Sequence, residues 1–321
     1  MSTLRLGTRG SQLALVQATT VAALLKTHAG LNCEIVVIKT SGDRLADAAL
    51  SVIGGKRLFV KEIEDALLAG DVDLAVHSSK DLPAILPDGL EIAAVLPRED
   101  PRDAIILPPG RVASTLEDLV RVLGPAPRIG TSSVRRIAQL TGLFPGAGFL
   151  PIRGNLDTRL RKLDAGDYDA LVLAAAGLRR LDHAERISMV LPVDACVPAP
   201  GQGIIAVEIR GADVQAREHV MKIDEAQAHA AFTAERAVVV RLGGGCQMPI
   251  GAYAEIAGDK VHIAGIVVSL DGARTARADA TGSIREPESA GTRVAEALLT
   301  RGADEILADA QRRSAEEGQQ P

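Results

Sequence analysis

A thiol on a glycine loop, a lysine–aspartate pair and a set of arginines are the groups in this chain that could do chemistry. The thiol is Cys246, within residues 241–251 (RLGGGCQMPIG). Three consecutive glycines free the backbone to turn and let another body approach closely, and Pro249 and Gly251 close the turn. A thiol placed there has few side-chain neighbours and is expected to carry a group. The competing reading is a packed cysteine acting as a small hydrophobe. The amine and the acid are Lys80 and Asp81, which follow Ser78 and Ser79 after an apolar run over 73–77. The arginines are Arg9, Arg135, Arg136, Arg153, Arg159 and Arg180. Guanidinium groups grip carboxylates at two points. Any one of them is as readily a surface ion pair, but the set points to a ligand with many carboxylates.

The elements that must position these groups follow from periodicity and caps. Residues 4–8 read as a strand, and Ser11 caps a helix that ends near Gly30. Residues 33–39 (CEIVVIK) read as a buried strand with Cys33 in the core, and 40–55 as a mobile loop, a candidate lid. A helix then ends at Gly70, and 73–77 is a strand whose carboxyl end delivers residues 78–81. In open α/β sheets ligands gather at such ends; a solvated turn is the plainer alternative. This alternation predicts an α/β domain with a largely parallel sheet.

A second α/β unit follows the proline-bracketed segment 97–103. Residues 128–136 form a strand end, a hydroxyl-rich turn (Thr131, Ser132, Ser133) and a helix start, where exposed N–H groups attract anions. A strand ending at Arg153 and Gly154 precedes a helix capped by Asn155, and 169–174 is a further strand. After a second break at 197–203 come a strand over 204–209 and helices over about 214–223 and 226–242. Three antiparallel strands (252–257, 261–269, 275–280) and one final helix over 286–313 complete a small α+β domain, with 314–321 as a disordered tail.

Composition bounds the rest. With 321 residues, two or three domains are expected. Only 2% of residues are aromatic, so Val, Leu, Ile and Ala must build the cores. The net charge of −5 gives no basic field for nucleic acid. Cys33, Cys196 and Cys246 have neither metal-ligand nor disulfide spacing, so no metal is expected. A sparse, odd cysteine count without an export-signal pattern or membrane-length apolar run fits the cytoplasm. No GxxxxGK[ST] loop supports nucleotide use.

Eight motifs, in order and spanning nearly the whole chain, resemble porphobilinogen deaminase (hydroxymethylbilane synthase). They are Thr8, Arg9 and Ser11; residues 54–62 (GGKRLFVKE); His77, Ser78, Lys80 and Asp81; 98–103 (REDPRD); 130–136 (GTSSVRR); Arg153, Gly154 and Asn155 with Thr158 and Arg159; 200–203 (PGQG); and 244–247 (GGCQ). The resemblance implies a monomeric transferase of tetrapyrrole and haem biosynthesis. It would join four porphobilinogen molecules head to tail, release ammonia and yield hydroxymethylbilane. It also implies a dipyrromethane primer held by a thioether to Cys246. Asp81 would be the catalytic acid, stabilising the cationic methylene-pyrrolenine and managing protons. Ser78, Lys80, Asp81, Thr131, Ser132, Ser133, Arg135, Arg136, Arg153 and Gly154 would hold the primer. Arg9, Ser11, Lys56, Phe59, Arg153, Arg159, Arg180 and Gln202 would serve the substrate, with Phe59 lying against a pyrrole ring.

The family fold implied is two similar doubly wound α/β domains of the two-lobed ligand-binding-protein type, plus a smaller α+β domain. That gives residues 1–98 with 202–222, 99–201 and 223–313, and the breaks near 100 and 200 agree with it. Departures are Val52 and Ile53 where some relatives carry lysine, Gly10 and Gln12 around Ser11, and Met248 after Gln247. Two other readings compete. A non-catalytic two-lobed carboxylate binder would use the arginines but not the cysteine loop. A thiol hydrolase pairing Cys246 with His77 lacks a third partner.

Overall fold

The computed structural model describes residues 3–41, 60–244 and 248–317. Lys56, Phe59, Cys246 and all of the 40–55 loop except Thr40 and Ser41 lie outside the described residues.

The chain begins with β1 (Leu4–Thr8), α1 (Gln12–Ala29) and β2 (Cys33–Val37), then α2 (Lys61–Ala69), β3 (Leu74–Ser78) and β4 (Leu90–Val95). Ser11 Oγ accepts from the Ala14 N–H at the start of α1, and Gly30, at φ 68°, ends it. A crossover leads to β5 (Asp103–Ile106), α3 (Leu116–Leu123), β6 (Arg128–Gly130), α4 (Val134–Thr141), β7 (Gly148–Leu150), α5 (Leu156–Asp164), β8 (Ala170–Ala174), α6 (Ala175–Arg180) and β9 (Met189–Val190). A second crossover returns to β10 (Ile205–Arg210) and α7 (Val214–Val220). The chain ends with α8 (Ala226–Leu242), β11 (Ile250–Ala257), β12 (Lys260–Val268), β13 (Thr275–Ser283), α9 (Pro287–Thr300) and α10 (Ala303–Glu317).

Two five-stranded sheets share one plan, in the orders β2-β1-β3-β10-β4 and β7-β6-β8-β5-β9. In each, three strands pair in parallel, and the strand arriving from the other lobe runs antiparallel between its neighbours. The two α/β lobes are therefore topologically equivalent and exchange their inserted strands. The third sheet is an antiparallel meander, β11-β12-β13.

Each sheet has an aliphatic core of its own, as the scarcity of aromatics requires. Leu6, Leu74, Val76 and Val207 pack against Ala18, Val21 and Leu25 of α1. Ile105, Ile129 and Val172 pack against Leu119 and Leu140. Ile263 and Val267 pack against Val238, Val294 and Leu298. Helices α8 and α9 meet very closely, since a Cβ on Gly291 would lie 2.1 Å from the Ala234 carbonyl oxygen.

Four local expectations are corrected. β2 is an edge strand with Glu34 and Val37 exposed and its other residues only partly buried, so it is not a buried strand, and Cys33 is half-buried against the core. β7 stops at Leu150 because Pro151 has no N–H for the ladder, so the chain reaches Arg153 as a loop. The single C-terminal helix is two helices, broken where Gly302 adopts φ +84°. The second of them continues to Glu317, so the first residues of the expected tail are helical.

Candidate active site

The carboxyl end of β3 runs into a single 3-10 turn, Ser79–Asp81, that carries Lys80 and Asp81. The second crossover clamps this turn. Ser79 donates its N–H to Ile204 O at 3.0 Å. A Cβ on Gly201 would lie 2.2 Å from Ser79 Oγ, so only glycine, here at φ +73°, lets the crossover pack that closely. Ser78 faces the other way and bonds through Oγ to Gln17 of α1.

Across the cleft, Ser133 caps α4 and so aims Arg135 and Arg136 inward. Both meet Asp103, the first residue of β5, which is fully buried. Arg135 reaches it through Nη1 and Nη2, at 2.7 and 3.1 Å, and also donates to Val197 O. Arg136 reaches it through Nε at 2.9 Å, and Gln202 through Nε2 at 3.0 Å. Burial alone would raise the Asp103 carboxyl, but Arg135 and Arg136 overrule it and hold it far below the ordinary carboxylate range. The thiol of Cys196 also donates to Asp103, and burial with this carboxylate pushes it up to about 12, which makes it inert.

A cavity lies where the three sheets' segments meet. Its wall takes Ser79, Lys80 and Leu82 from the first lobe, Ser133 and Arg135 from the second, and Arg236, Val239 and Met248 from the third unit. Two donors of that wall, Ser79 Oγ and Arg135 Nε, are buried with no hydrogen-bond acceptor. Three cationic side chains and unmet donors around one cavity fit an anionic, carboxylate-bearing ligand.

Sequence comparison decides the family. Residues 4–218 match the model of the porphobilinogen deaminase dipyromethane cofactor binding domain, and residues 229–300 match that of the porphobilinogen deaminase C-terminal domain. The porphobilinogen deaminase of Carboxydothermus hydrogenoformans is 47% identical over 307 residues, covering 95% of this chain and 96% of that protein. Those of Syntrophotalea carbinolica and Moorella thermoacetica are each 46% identical, covering 96% and 98% of this chain and the same shares of theirs. This chain belongs to the porphobilinogen deaminase family. Among solved structures it is also similar to immunogenic lipoprotein A from Vibrio vulnificus, at 14% identity and a TM-score of 0.43, over 70% of this chain and 96% of that one.

Membership makes this an enzyme of tetrapyrrole biosynthesis with a dipyrromethane cofactor. The remaining residues named for such a deaminase fall into two groups. Arg153 and Arg159 lie close to Arg136, and burial together with these two like charges lowers the Arg159 guanidinium. Arg159 Nε is tied to Gly154 O at 2.9 Å, and Gly154 itself stands at φ +102°. Arg153 and Arg159 thus add positive charge beside Arg136, whose own guanidinium is spent on Asp103 and Val172 O. The other group is engaged in structure. Thr131 Oγ1 accepts from the Ser133 N–H, Ser132 Oγ bonds the Ile152 backbone, and Ser11 caps α1. Arg180 donates to Gly203 O, and Gln202 also donates to Pro101 O. Arg9 is half-buried and does not line the cavity.

Two carboxylates central to the site were not singled out by sequence reasoning. Asp103 was seen only as the end of a boundary motif. Glu235 of α8 accepts from Arg98 Nη1 and Nη2, from the Gly201 N–H at 2.6 Å and from the Ala254 N–H at 2.7 Å. It thereby ties both crossovers to the cysteine-bearing unit, while Arg98 also stacks over Tyr253 at 5.0 Å. A signal existed: Glu235 sits among Ala231, Ala234 and Val238, an apolar helix face where a carboxylate needs partners.

Lys80 gives the site a pH dependence. Burial, then Arg136 and Arg135, pull its ammonium down to about 8, against the opposing pull of Asp81 and Asp103. The charged form dominates near neutrality and is lost as pH rises through that value. A carboxylate ligand resting on Lys80 therefore binds fully below it and more weakly above it. Loading of the cofactor-free protein is expected to weaken on the alkaline side with an apparent pKa near 8. Lys80→Arg, whose charge does not titrate there, should flatten that limb. An unchanged limb in the variant would remove Lys80 as its source.

Proposed function

We propose that this chain joins four porphobilinogen molecules head to tail, releases ammonia at each joining and yields hydroxymethylbilane, on a dipyrromethane held through the sulfur of Cys246. The observation that carries this reading is the three-way cavity. It brings Lys80, Arg135 and Arg236 together and ends at Met248, two residues beyond Cys246. The unmet donors Ser79 Oγ and Arg135 Nε ask for an acceptor. Acetate and propionate groups on each pyrrole provide several, so the residues present fit the cofactor.

When bound, the dipyrromethane would supply the pyrrole carbon to which the first unit is joined, each later unit being joined to the one before it. The chain's own residues do the rest. Lys80 and Arg135 hold carboxylates in the cavity, and Ser133 lies in the same wall. Arg153 and Arg159 offer further positive charge to a lengthening polyanion, with Arg9 assigned to the same ligand, while Arg136, Arg180 and the hydroxyls of Ser11, Ser78, Thr131 and Ser132 are now bonded within the protein and would join only by exchanging those bonds. Asp81, half-buried beside Lys80, takes the acid–base role: it exchanges a proton with the departing amine and opposes the positive charge that grows as ammonia leaves.

We further infer three domains, 1–98 with 202–222, 99–201 and 223–313, a division supported by the three sheets and their exchanged strands. A monomer working in the cytoplasm completes the reading; among the described residues no helix is long and apolar enough to cross a membrane. A non-catalytic carboxylate binder would use the same arginines, but family membership and the cysteine loop favour the enzyme.

Mass spectrometry tests the proposal. Protein made in a host that produces porphobilinogen is expected to be heavier than its sequence by two linked pyrroles and to colour with an aldehyde reagent for pyrroles. Cys246→Ser should lose both the added mass and turnover. A wild-type protein of unmodified mass, or a Cys246→Ser variant that turns over normally, would overturn it.

A further inference from the structure

One buried group of the cavity wall has no role in the family pattern that identified the site. Ser79 is 4% exposed, and its Oγ makes no hydrogen bond. The turn does not need this hydroxyl, because the main chain fixes the residue: its N–H donates to Ile204 O at 3.0 Å, and its carbonyl accepts from Leu82 N at 3.2 Å. The hydroxyl lies against the Cα of Gly201, where a Cβ would come within 2.2 Å. That face offers it no acceptor. Packing there asks only for a small side chain, yet the chain places a polar one.

Buried polar groups are normally bonded, and one left without a partner in the wall of a cavity is placed to bond what fills that cavity. The same wall holds a second such donor, Arg135 Nε, beside Lys80, Ser133 and Arg236. A serine hydroxyl can be redirected among three staggered positions about χ1, so Ser79 can turn from Gly201 towards whatever fills the cavity.

We propose that Ser79 is a carboxylate-binding residue of this enzyme, donating its hydroxyl to a carboxylate oxygen of the pyrrole ligand between Lys80 and Arg135. The identity of the ligand rests on the function proposed above. A neutral donor has a specific use at this point. Lys80 already feels Arg135 and Arg136, and another cation would discourage its protonation further. A hydroxyl adds a hydrogen bond without adding charge.

The test compares Ser79→Ala with wild type in two forms: loaded protein, and protein made in a host unable to make porphobilinogen, with loading checked by mass. In the unloaded form the substitution removes an unmet polar group, so the melting temperature is expected to stay level or rise. In the loaded form it removes a hydrogen bond to a charged group, and the melting temperature is expected to fall by about 2–4 °C. A purely structural serine would lower both forms alike, and an unused one would lower neither; either result overturns the proposal. If the alanine variant does not fold, Ser79→Cys keeps the size with a weak donor and should show the same fall on loading. Wild-type protein that never gains the pyrrole mass would refute the ligand reading instead, so the two failures are distinguishable.

Discussion

Asp103→Ala is expected to cost roughly 3–5 kcal/mol of stability, the usual consequence of removing one partner from a buried ion pair. The reason is geometric. Arg135 and Arg136 have side chains only 4% and 9% exposed, and both close on this one carboxylate. Without it two guanidinium groups are left in a site that water does not reach. The damage should also be functional, since the same carboxylate aims Arg135 at the cavity and, through Gln202, holds the second crossover. Urea unfolding of the loaded enzyme checks the size. Because the folded carboxyl titrates below its ordinary value, its contribution is complete above the unfolded pKa of about 3.9 and erodes only as pH falls below that. The gap between wild type and Asp103→Asn should therefore be constant from about pH 5 to 7, below the range in which Lys80, which also feels Asp103, titrates. A gap that opens or closes within that range, or a loss under about 1 kcal/mol in Asp103→Ala, would mean the two arginines have other counter-charges.

The second large effect is on rate alone. Asp81→Asn is expected to lower kcat by about 10²–10⁴-fold, the range for losing a positioned proton-transfer group, with little change in melting temperature or KM. The split follows from the location. Asp81 ends a turn that the main chain of Ser79, Leu82 and Ile204 already fixes, and the ligand's carboxylates are carried by Lys80 and the arginines. An amide keeps the shape and removes the charge that opposes the developing cation. Single-turnover measurements separate this from slow product release. A near-normal rate would take Asp81 out of the chemistry, whereas a raised KM at normal kcat would make it a binding group.

These two aspartates differ in how visible they were. Asp81 stood in a polar run at the end of an apolar strand, and its position could be read from a handful of neighbouring residues. Asp103 looked like the last residue of a charged linker. Its importance comes from Arg135, Arg136, Cys196 and Gln202, which lie 32 to 99 positions away in the chain or in between. Glu235 is a similar case, receiving donors 137 residues upstream at Arg98 and 19 downstream at Ala254.

What the residues alone determined was therefore local or motif-borne. Ser11 and Asn155 as caps, Gly30 and Gly70 as stops, the ends of α8 and the order of eight family motifs all depend on contacts or patterns within a few positions. Folding decided which strand became an edge, that β5 and β10 would be inserted antiparallel into each other's lobes, and which arginines would face the cavity and which would be bound in structure. A cap is set by one residue and the next turn of helix, whereas the neighbours of a buried charge are chosen only when distant segments pack, because burial is what forces each charge to find its partners.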